Sequence, residues 1–423
     1  MSAKSTVGFI GLGAMGFGMA TNLVARGHQV KGYDVFPASV ERFEKAGGIG
    51  AKSLLDVVEG VKDCVCMVAT AAQAQDVLIN KGVGATIYLC STVPSTYVTA
   101  LQDDIAKLGR EDVSLIDCPV SGGAARAAAG TLSIMAGASP QGLEKAGPLL
   151  LEMGAKETVF TMPTGVGAGS NMKLVHQVLA CCNILAAGEI MGFAASLGLD
   201  GDELLKRVSS TDAGAWMIQN RIPRIMAEEF VPVVSAMAII LKDITPLSAF
   251  VEQQYVARSA RGGGSTDDAE LIKLYYPAAV KDAPSASQRS NDTAESDIHL
   301  VLGTLKSLLL LAVAEAVGLV HALGVDMNTF YKLASSASGG SRMLERYAHE
   351  MYAFLDGSRE ASTEYGTVND LVGQLELALE EAKKAECPLF MTSNVMSTLL
   401  LVKGKGYGNA GLASVVSLWI KDA

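Results

Sequence analysis

The chain has 423 residues, with 34 Lys and Arg against 44 Asp and Glu and a formal net charge of −10. Such a length carries two or three domains with sizeable cores. The acidic balance, unbroken by any Lys/Arg block, excludes nucleic acid or an acidic membrane surface as the main partner.

The first apolar run, Thr6-Val7-Gly8-Phe9-Ile10, reads as a buried strand, and residues 15–26 follow with helical periodicity. Between them, Gly11-Leu12-Gly13-Ala14-Met15-Gly16 forms a strand-to-helix turn. In such a turn Gly11 permits the tight bend, Gly13 lets backbone approach a pyrophosphate, and Gly16 lets helix and strand pack closely. The helix N-terminus offers N–H groups and partial positive charge to phosphates. Residues 30–34 read as a second strand ending in Asp34, about 20 residues on, where a carboxylate can accept hydrogen bonds from a ribose diol. Val35 is not a basic partner for a 2′-phosphate, so NAD is expected over NADP. The competing reading of this stretch is a glycine-rich turn in some other α/β protein.

Further short runs at 86–90, 113–117, 133–136 and 158–160 alternate with helical stretches, the pattern of a mostly parallel, doubly wound sheet. Cys64 and Cys66, in the run 64–68, read as same-face core residues. The seven cysteines show no C-x-x-C pair and no metal-ligand spacing with histidine, so no metal site is expected and a reducing compartment is. The first strand starts too early to leave room for a leader, and Trp419 to Ala423 is no sorting signal, so a cytoplasmic protein is expected. Two motifs follow the sheet strands. Asp117-Cys118-Pro119-Val120-Ser121-Gly122-Gly123 offers a backbone-rich anion seat, with Asp117 read as a strand end. Gly167-Ala168-Gly169-Ser170-Asn171-Met172-Lys173 offers one lysine.

After Gly165, Ala/Leu-rich helices dominate. Residues 175–199 and 305–325 are apolar enough to suggest membrane spans, but Glu189 and Glu315 sit mid-segment, where an acid costs roughly 2.5–3.5 kcal/mol on insertion scales. Buried core helices are the better reading, and no membrane is expected. The two segments also repeat each other: Gly188 to Asp200 lines up with Ala314 to Asp326 at an offset of 126, which becomes 127 at Asp243/Asp370. The expected organisation is therefore a Rossmann-type domain at 1–164, an all-α domain at 165–280, a polar linker at 281–297, and a second all-α copy at 298–423. Lys173 falls opposite His299 and Lys242-Asp243 opposite Asn369-Asp370, so the polar chemistry stays with the first copy. Arg261-Gly262-Gly263-Gly264-Ser265 is expected to interrupt a helical pattern that the second copy continues.

These motifs, in this order, resemble the 3-hydroxyisobutyrate dehydrogenase (β-hydroxyacid dehydrogenase) family over residues 5 to about 277. The resemblance implies that Gly11, Leu12, Gly13, Ala14, Met15, Gly16, Asp34, Val68, Ala69, Thr92 and Lys242 meet the cofactor. It implies that Ser121, Gly122 and Gly123 hold substrate and that Lys173 is catalytic. Most members have Asn four residues after the lysine; this chain has Gln177, preceded by His176. With Ala71-Ala72-Gln73 and the segment 216–221, that is similar to the L-threonate dehydrogenase branch and implies a small polyhydroxylated acid. Duplication of the helical domain resembles some 6-phosphogluconate dehydrogenases, without a basic cluster for a substrate phosphate. Family members associate through their helical domains, which implies a homodimer, unless the internal copy satisfies that surface within one chain.

The expected mechanism has Ser121 and the N–H groups of Gly122 and Gly123 fixing a substrate carboxylate through charge-assisted hydrogen bonds. Lys173 takes the hydroxyl proton as hydride leaves carbon, which suits a lysine whose pKa is lowered by burial or by a positive neighbour such as Lys242. Most helix lysines are solvated surface charges. The apolar neighbours Met172, Leu174 and Val175 and the loss of the lysine in the second copy favour a role in chemistry. His176, on the same helix face, reads equally as a substrate contact or a satisfied core histidine. An imine reductase, which typically carries another residue at the lysine position, and a dinucleotide-binding scaffold without turnover are the alternatives.

Overall fold

The computed structural model describes residues 4–78, 86–110, 113–231, 233, 235–244, 249–278, 280 and 291–420. They fall into two compact units, Met1–Leu174 and Val175–Ala423.

The first unit alternates strand and helix: β1 (Thr6–Ile10), α1 (Ala14–Ala25), β2 (Gln29–Tyr33), α2 (Pro37–Lys45), β3 (Ile49–Gly50), α3 (Leu54–Val58), β4 (Asp63–Cys66), α4 (Ala71–Leu78), β5 (Thr86–Leu89), α5 (Ser95–Lys107), β6 (Ser114–Asp117), β7 (Val120–Ser121), α6 (Gly123–Ala129), β8 (Ser133–Gly137), α7 (Pro140–Met153) and β9 (Val159–Met162). The strand order is β3-β2-β1-β4-β5-β6-β8-β7, with β9 beside β8. From β3 to β6 every pairing is parallel, and the order reverses across β1/β4 as in a dinucleotide-binding sheet. Strands β8 and β9, parallel to each other, run opposite to the rest, with β8 antiparallel to β6 and β7. The strands carry apolar residues without polar alternation because both faces are covered. Val7 and Phe9 join Val30, Val65 and Tyr88 on one side, while Ile10 joins Cys64, Cys66, Ile87 and Leu89 on the other. The expected doubly wound sheet is therefore present, and Cys64 and Cys66 are buried together in its core.

Helix α8 (Ala168–Ser196) begins in the first unit and continues in the second, where α9 (Gly201–Ser210), α10 (Trp216–Ala227), α11 (Met237–Ile244), α12 (Ala249–Arg258), α13 (Asn291–Ala322), α14 (Met327–Ser336), α15 (Arg342–Leu355), α16 (Val368–Lys384) and α17 (Phe390–Val402) follow. The most apolar stretch of α8 is buried throughout. Its Glu189 is fully buried and accepts hydrogen bonds from the N–H groups of Met391 (2.6 Å) and Thr392 (2.7 Å) and from Thr392 Oγ1 (2.7 Å). A carboxylate at the positive end of α17 is a stabilising arrangement, and it accounts for an acid in the middle of an apolar helix.

Three expectations need correction. The linker 281–297 is too long, because α13 already begins at Asn291; residues 281–290 lie outside the described residues. Asp297, Ile298 and Val301 are buried while Glu295, Ser296 and His299 are exposed, so the first turns are an amphipathic helix whose polar composition resembles a linker. The repeat offset is also not 127 beyond Asp243. The N–H groups of Met237 and Ala238 bond the carbonyls of Thr266 and Gly264, just as those of Val368 and Asn369 bond Ala410 and Gly408. The register at α11/α16 is therefore 131 and at the chain ends 144, which sets Lys242-Asp243 opposite Gly373-Gln374 rather than Asn369-Asp370. Third, Arg261 to Ser265 is no interruption peculiar to the first series. Gly262 (φ 86°) and Gly406 (φ 94°) close the same wide helical turn in both. The extra residues lie before and within α16–α17.

The structural register exposes a difference between the two series. Arg221 and Asp268 form a buried, two-pronged ion pair (2.6 and 2.8 Å); the corresponding residues are the buried Tyr347 and Leu412. Breaking a buried pair strands a charge, whereas replacing both members by apolar groups is often neutral. Arg221→Ala is expected to destabilise the chain by about 3–5 kcal/mol, and Arg221→Met with Asp268→Leu by far less. Urea unfolding of the two variants checks this; equal losses would contradict it.

Candidate active site

Each strand from β1 to β6, apart from the edge strand β3, delivers one site segment at its carboxyl end, where ligands bind in open α/β sheets. After β1, Gly11 adopts φ 94°, and a Cβ there would lie 2.1 Å from the Met67 carbonyl oxygen; one on Gly16 would lie 1.9 Å from that of Gly11. Neither position admits a side chain. A Cβ on Gly13 would meet nothing within 4 Å, so the open side of the turn lies above Gly13. Helix α1 starts there without a side-chain cap, leaving its first N–H groups for an anion. These features fit a dinucleotide pyrophosphate.

Asp34, after β2, ties itself to the glycine turn. One oxygen accepts the Leu12 N–H (2.7 Å) and the other the Phe36 N–H (2.9 Å). Arg42 Nη2 donates to the Leu12 carbonyl (2.9 Å) while its guanidinium lies over the Phe17 ring (4.0 Å). After β4, the Val68 N–H bonds Ser91 Oγ (2.9 Å) and the Ala69 N–H bonds Gln73 Oε1 (3.0 Å), so Gln73 shapes this loop. Thr92 is half-buried beside Ser91. The predicted segments Gly11–Gly16, Asp34 and Val68 are thus brought together by direct contacts.

The segment expected to seat an anion follows β6. Ser121 pairs with Ser133 across β7/β8, and Gly122 and Gly123 have φ of 137° and 71°. Helix α6, which they start, crosses α1 where a Cβ on Gly18 would lie 2.8 Å from Ala128 N. Gly18 therefore holds the seat's helix against the glycine-turn helix, a role that sequence reasoning missed although the Ala-rich run after Gly123 signals a close crossing.

Asp117 was missed too. Its side chain is fully buried, and it accepts from Ser170 N–H (2.8 Å) and Ser170 Oγ–H (2.7 Å) at the start of α8. Burial pushes its pKa up to about 6, against hydrogen bonds from Ser170, Gly167 and Gly169 that hold it down. A Cβ on Gly169 would fall 2.2 Å from the Met135 carbonyl and 2.4 Å from that of Asp117. The first turn of α8 thus rests on bare backbone of β6 and β8. Lys173 follows one turn later, 6 % exposed, between the buried Met172 and Leu174. It is no surface lysine.

His176 is fully buried and its Nε2 lies 3.1 Å from Ser338 Oγ. It is joined there to the segment between α14 and α15, a contact that both readings of this residue allow. Gln177 is half-buried. Lys242 lies on α11, but its side chain is outside the described residues. Among the described residues no cluster of His, Cys, Asp and Glu could hold a metal ion.

A dinucleotide turn, an acidic partner for it and a buried lysine at the start of α8 are the parts that a nucleotide-dependent dehydrogenase requires. Residues 6–163 match the NAD-binding domain of 6-phosphogluconate dehydrogenase, and residues 167–275 and 299–419 each match the NAD-binding domain of NADP-dependent 3-hydroxyisobutyrate dehydrogenase. The chain belongs to the 3-hydroxyisobutyrate dehydrogenase family and is a hydroxyacid dehydrogenase. It is 32% identical over 289 residues to an L-threonate dehydrogenase of Cupriavidus necator, covering 64% of this chain and 95% of that one. An NAD-dependent L-serine dehydrogenase of Pseudomonas aeruginosa is 30% identical over 50% of this chain and 72% of its own. The structure of a 3-hydroxyisobutyrate dehydrogenase from Salmonella typhimurium superposes with a TM-score of 0.57 at 30% identity, over 64% of this chain and all of that one. The 6-phosphogluconate dehydrogenase of Plasmodium falciparum shares the fold over 94% of this chain and 92% of its own (TM-score 0.61, 14% identity).

The glycine contacts separate two kinds of failure. Gly13→Ala should leave the melting temperature nearly unchanged yet weaken NADH binding about tenfold or more, since only the ligand approaches there. Gly16→Ala should instead destabilise by about 1–3 kcal/mol. Fluorescence titration with thermal melts checks both; a Gly13→Ala protein that binds NADH normally would contradict this reading of the turn.

Proposed function

We propose that the chain oxidises a small polyhydroxylated acid of the L-threonate type, using NAD in preference to NADP and Lys173 as the acid/base. The observation that carries this reading is the seating of the lysine helix on Asp117, four residues before Ser121 on the same strand-to-loop segment. That arrangement ties a buried amine to an anion seat in one unit. The nicotinamide, when bound, accepts or returns the hydride. Ser121 and the N–H groups of Gly122 and Gly123 hold the substrate carboxylate, and their fixed backbone direction orients the carbon that reacts. Lys173 Nζ takes the hydroxyl proton during oxidation and returns it during reduction. Its burial excludes water from that proton transfer.

Asp34 supports the preference for NAD. Its carboxylate, already positioned by two backbone N–H groups, accepts from a ribose diol and repels a 2′-phosphate. Arg42 is engaged with the Leu12 carbonyl and the Phe17 ring, not poised as a phosphate partner.

We also propose that the second unit holds two copies of one all-α domain. The family match falls on it twice, and the helix series recurs in order. The copies meet reciprocally: Trp216 N–H bonds the Gly340 carbonyl (3.0 Å) and Arg342 N–H bonds that of Gly214 (2.8 Å), positions 126 residues apart in each case. Contacts of this self-complementary form mark a two-fold pair. With Lys173 absent from the second copy, the chain carries one active site.

Absorbance at the NADH band tests the reading, with L-threonate, D-glycerate and 3-hydroxyisobutyrate as substrates. Lys173→Ala should lower turnover by roughly 10²–10⁴-fold. Wild type should favour NAD, and Asp34→Ser should narrow that preference. A variant equal to wild type would remove Lys173 from the mechanism; cofactor binding without turnover on any acid would favour a non-catalytic scaffold.

A further inference from the structure

We infer that Asp117 is a positioning residue of the reaction, joining the helix that carries Lys173 to the strand that leads into Ser121, Gly122 and Gly123. The inference rests on the dehydrogenase reading above.

Helices are ordinarily capped by the residue just before them, through a bond that reports only on local structure. Here the acceptor comes from 53 residues away, from the last residue of β6. Both of its oxygens are used, one by the Ser170 N–H and one by the Ser170 hydroxyl. Gly169 lets the helix sit on the carbonyls of Met135 and Asp117. The start of α8 is therefore fixed in height by backbone contact and in direction by the carboxylate. Lys173 lies three residues beyond Ser170 on a rigid helix, so a tilt of the first turn passes directly to its amine. The same strand continues through Cys118 and Pro119 to Ser121. One side chain thus sets the distance from amine to anion seat, and an error of about 1 Å in such a distance can cost about 10²-fold in rate.

Ionised, the carboxylate accepts both bonds at full strength; protonation below about pH 6 weakens them and turns one oxygen into a donor, which would loosen the joint. Ionisable side chains on the elements around it include Cys118 beside it, Cys90 on the neighbouring strand end (3.6 Å from Cys118), Tyr88 on β5, Tyr97 on α5, and Lys173 and His176 on α8. Burial and the neighbouring thiol and carboxylate keep Cys118 protonated. The folded state raises the pKa of Asp117, so its contribution to stability is present at low pH and is lost as pH rises toward 6. Acidification therefore removes the clamp's ionised form without weakening the fold through this residue, which a purely structural role would not do.

The test is the pH profile of kcat for reduction of the oxo acid by NADH, where Lys173 must carry its proton and gives no acid limb of its own. Wild type should lose kcat with an apparent pKa of about 6 while its melting temperature does not fall. Asp117→Asn should lower kcat roughly 10–100-fold, keep KM and NADH affinity within about threefold, and flatten the acid limb. Ser170→Ala, which removes only the hydroxyl donor, should lower kcat several-fold and decides the matter if the first variant does not fold. Acetylation of Lys173 by acetic anhydride, followed by peptide mass spectrometry, should speed up several-fold in either variant. Unchanged kcat, pH profile and acetylation in the folded variants would overturn the inference. Faster acetylation in a protein that turns over no hydroxy acid would uphold the positioning role and overturn the dehydrogenase reading instead.

Discussion

A carboxylate buried at the end of β6 holds the first turn of α8, the helix that carries Lys173, and the proposed chemistry is arranged around that joint. Dehydrogenase chemistry needs a dinucleotide turn, a carboxylate seat and a proton carrier, and these lie on separate segments. The turn follows β1 directly, and the segment proposed as the seat follows β6. The proposed proton carrier, Lys173, lies on α8, which is bound to β6 by Asp117 and to β8 by the absence of a side chain at Gly169. Burying an anion is costly unless donors surround it; the N–H groups and hydroxyl at the helix start supply them. Burial still outweighs those donors and raises the pKa to about 6.

Much of this was legible in the sequence because it follows from local rules. Gly11, Gly13, Gly16 and Asp34 have a spacing fixed by backbone sterics at one turn; the structure gives Gly11 and Gly16 the close backbone approaches that spacing implies, leaves Gly13 open, and ties Asp34 to the Leu12 N–H. Strands buried on both faces announced themselves as apolar runs without alternation. Asp117 was not legible. Its partners lie 53 residues away, and an acid ending a strand has no pattern that separates a solvated end from a clamp. Gly18 escaped for the same reason, since its meaning depends on α6 crossing at that height. The first turns of α13 were mistaken for linker because their polar residues belong to the exposed side of an amphipathic helix.

The recurring helix series offers an internal comparison. Arg221 and Asp268 stand where Tyr347 and Leu412 stand, so one scaffold accepts either a buried ion pair or an apolar pair at the same place. The register of the two series was misread beyond Asp243 because matching acids drew the alignment, while backbone hydrogen bonds at Ala238 and Asn369 define the true equivalence. Opposite Lys173, at the offset of 126, stands His299.

The central claim, that the first unit presents a hydroxy acid to the nicotinamide for direct hydride transfer, is tested most directly with substrate deuterated at the carbinol carbon. NADH isolated after turnover should carry one deuterium, read by mass spectrometry, and kcat/KM should show a primary isotope effect. NADH that forms without deuterium, or no NADH from any small hydroxy acid tried, would contradict the account.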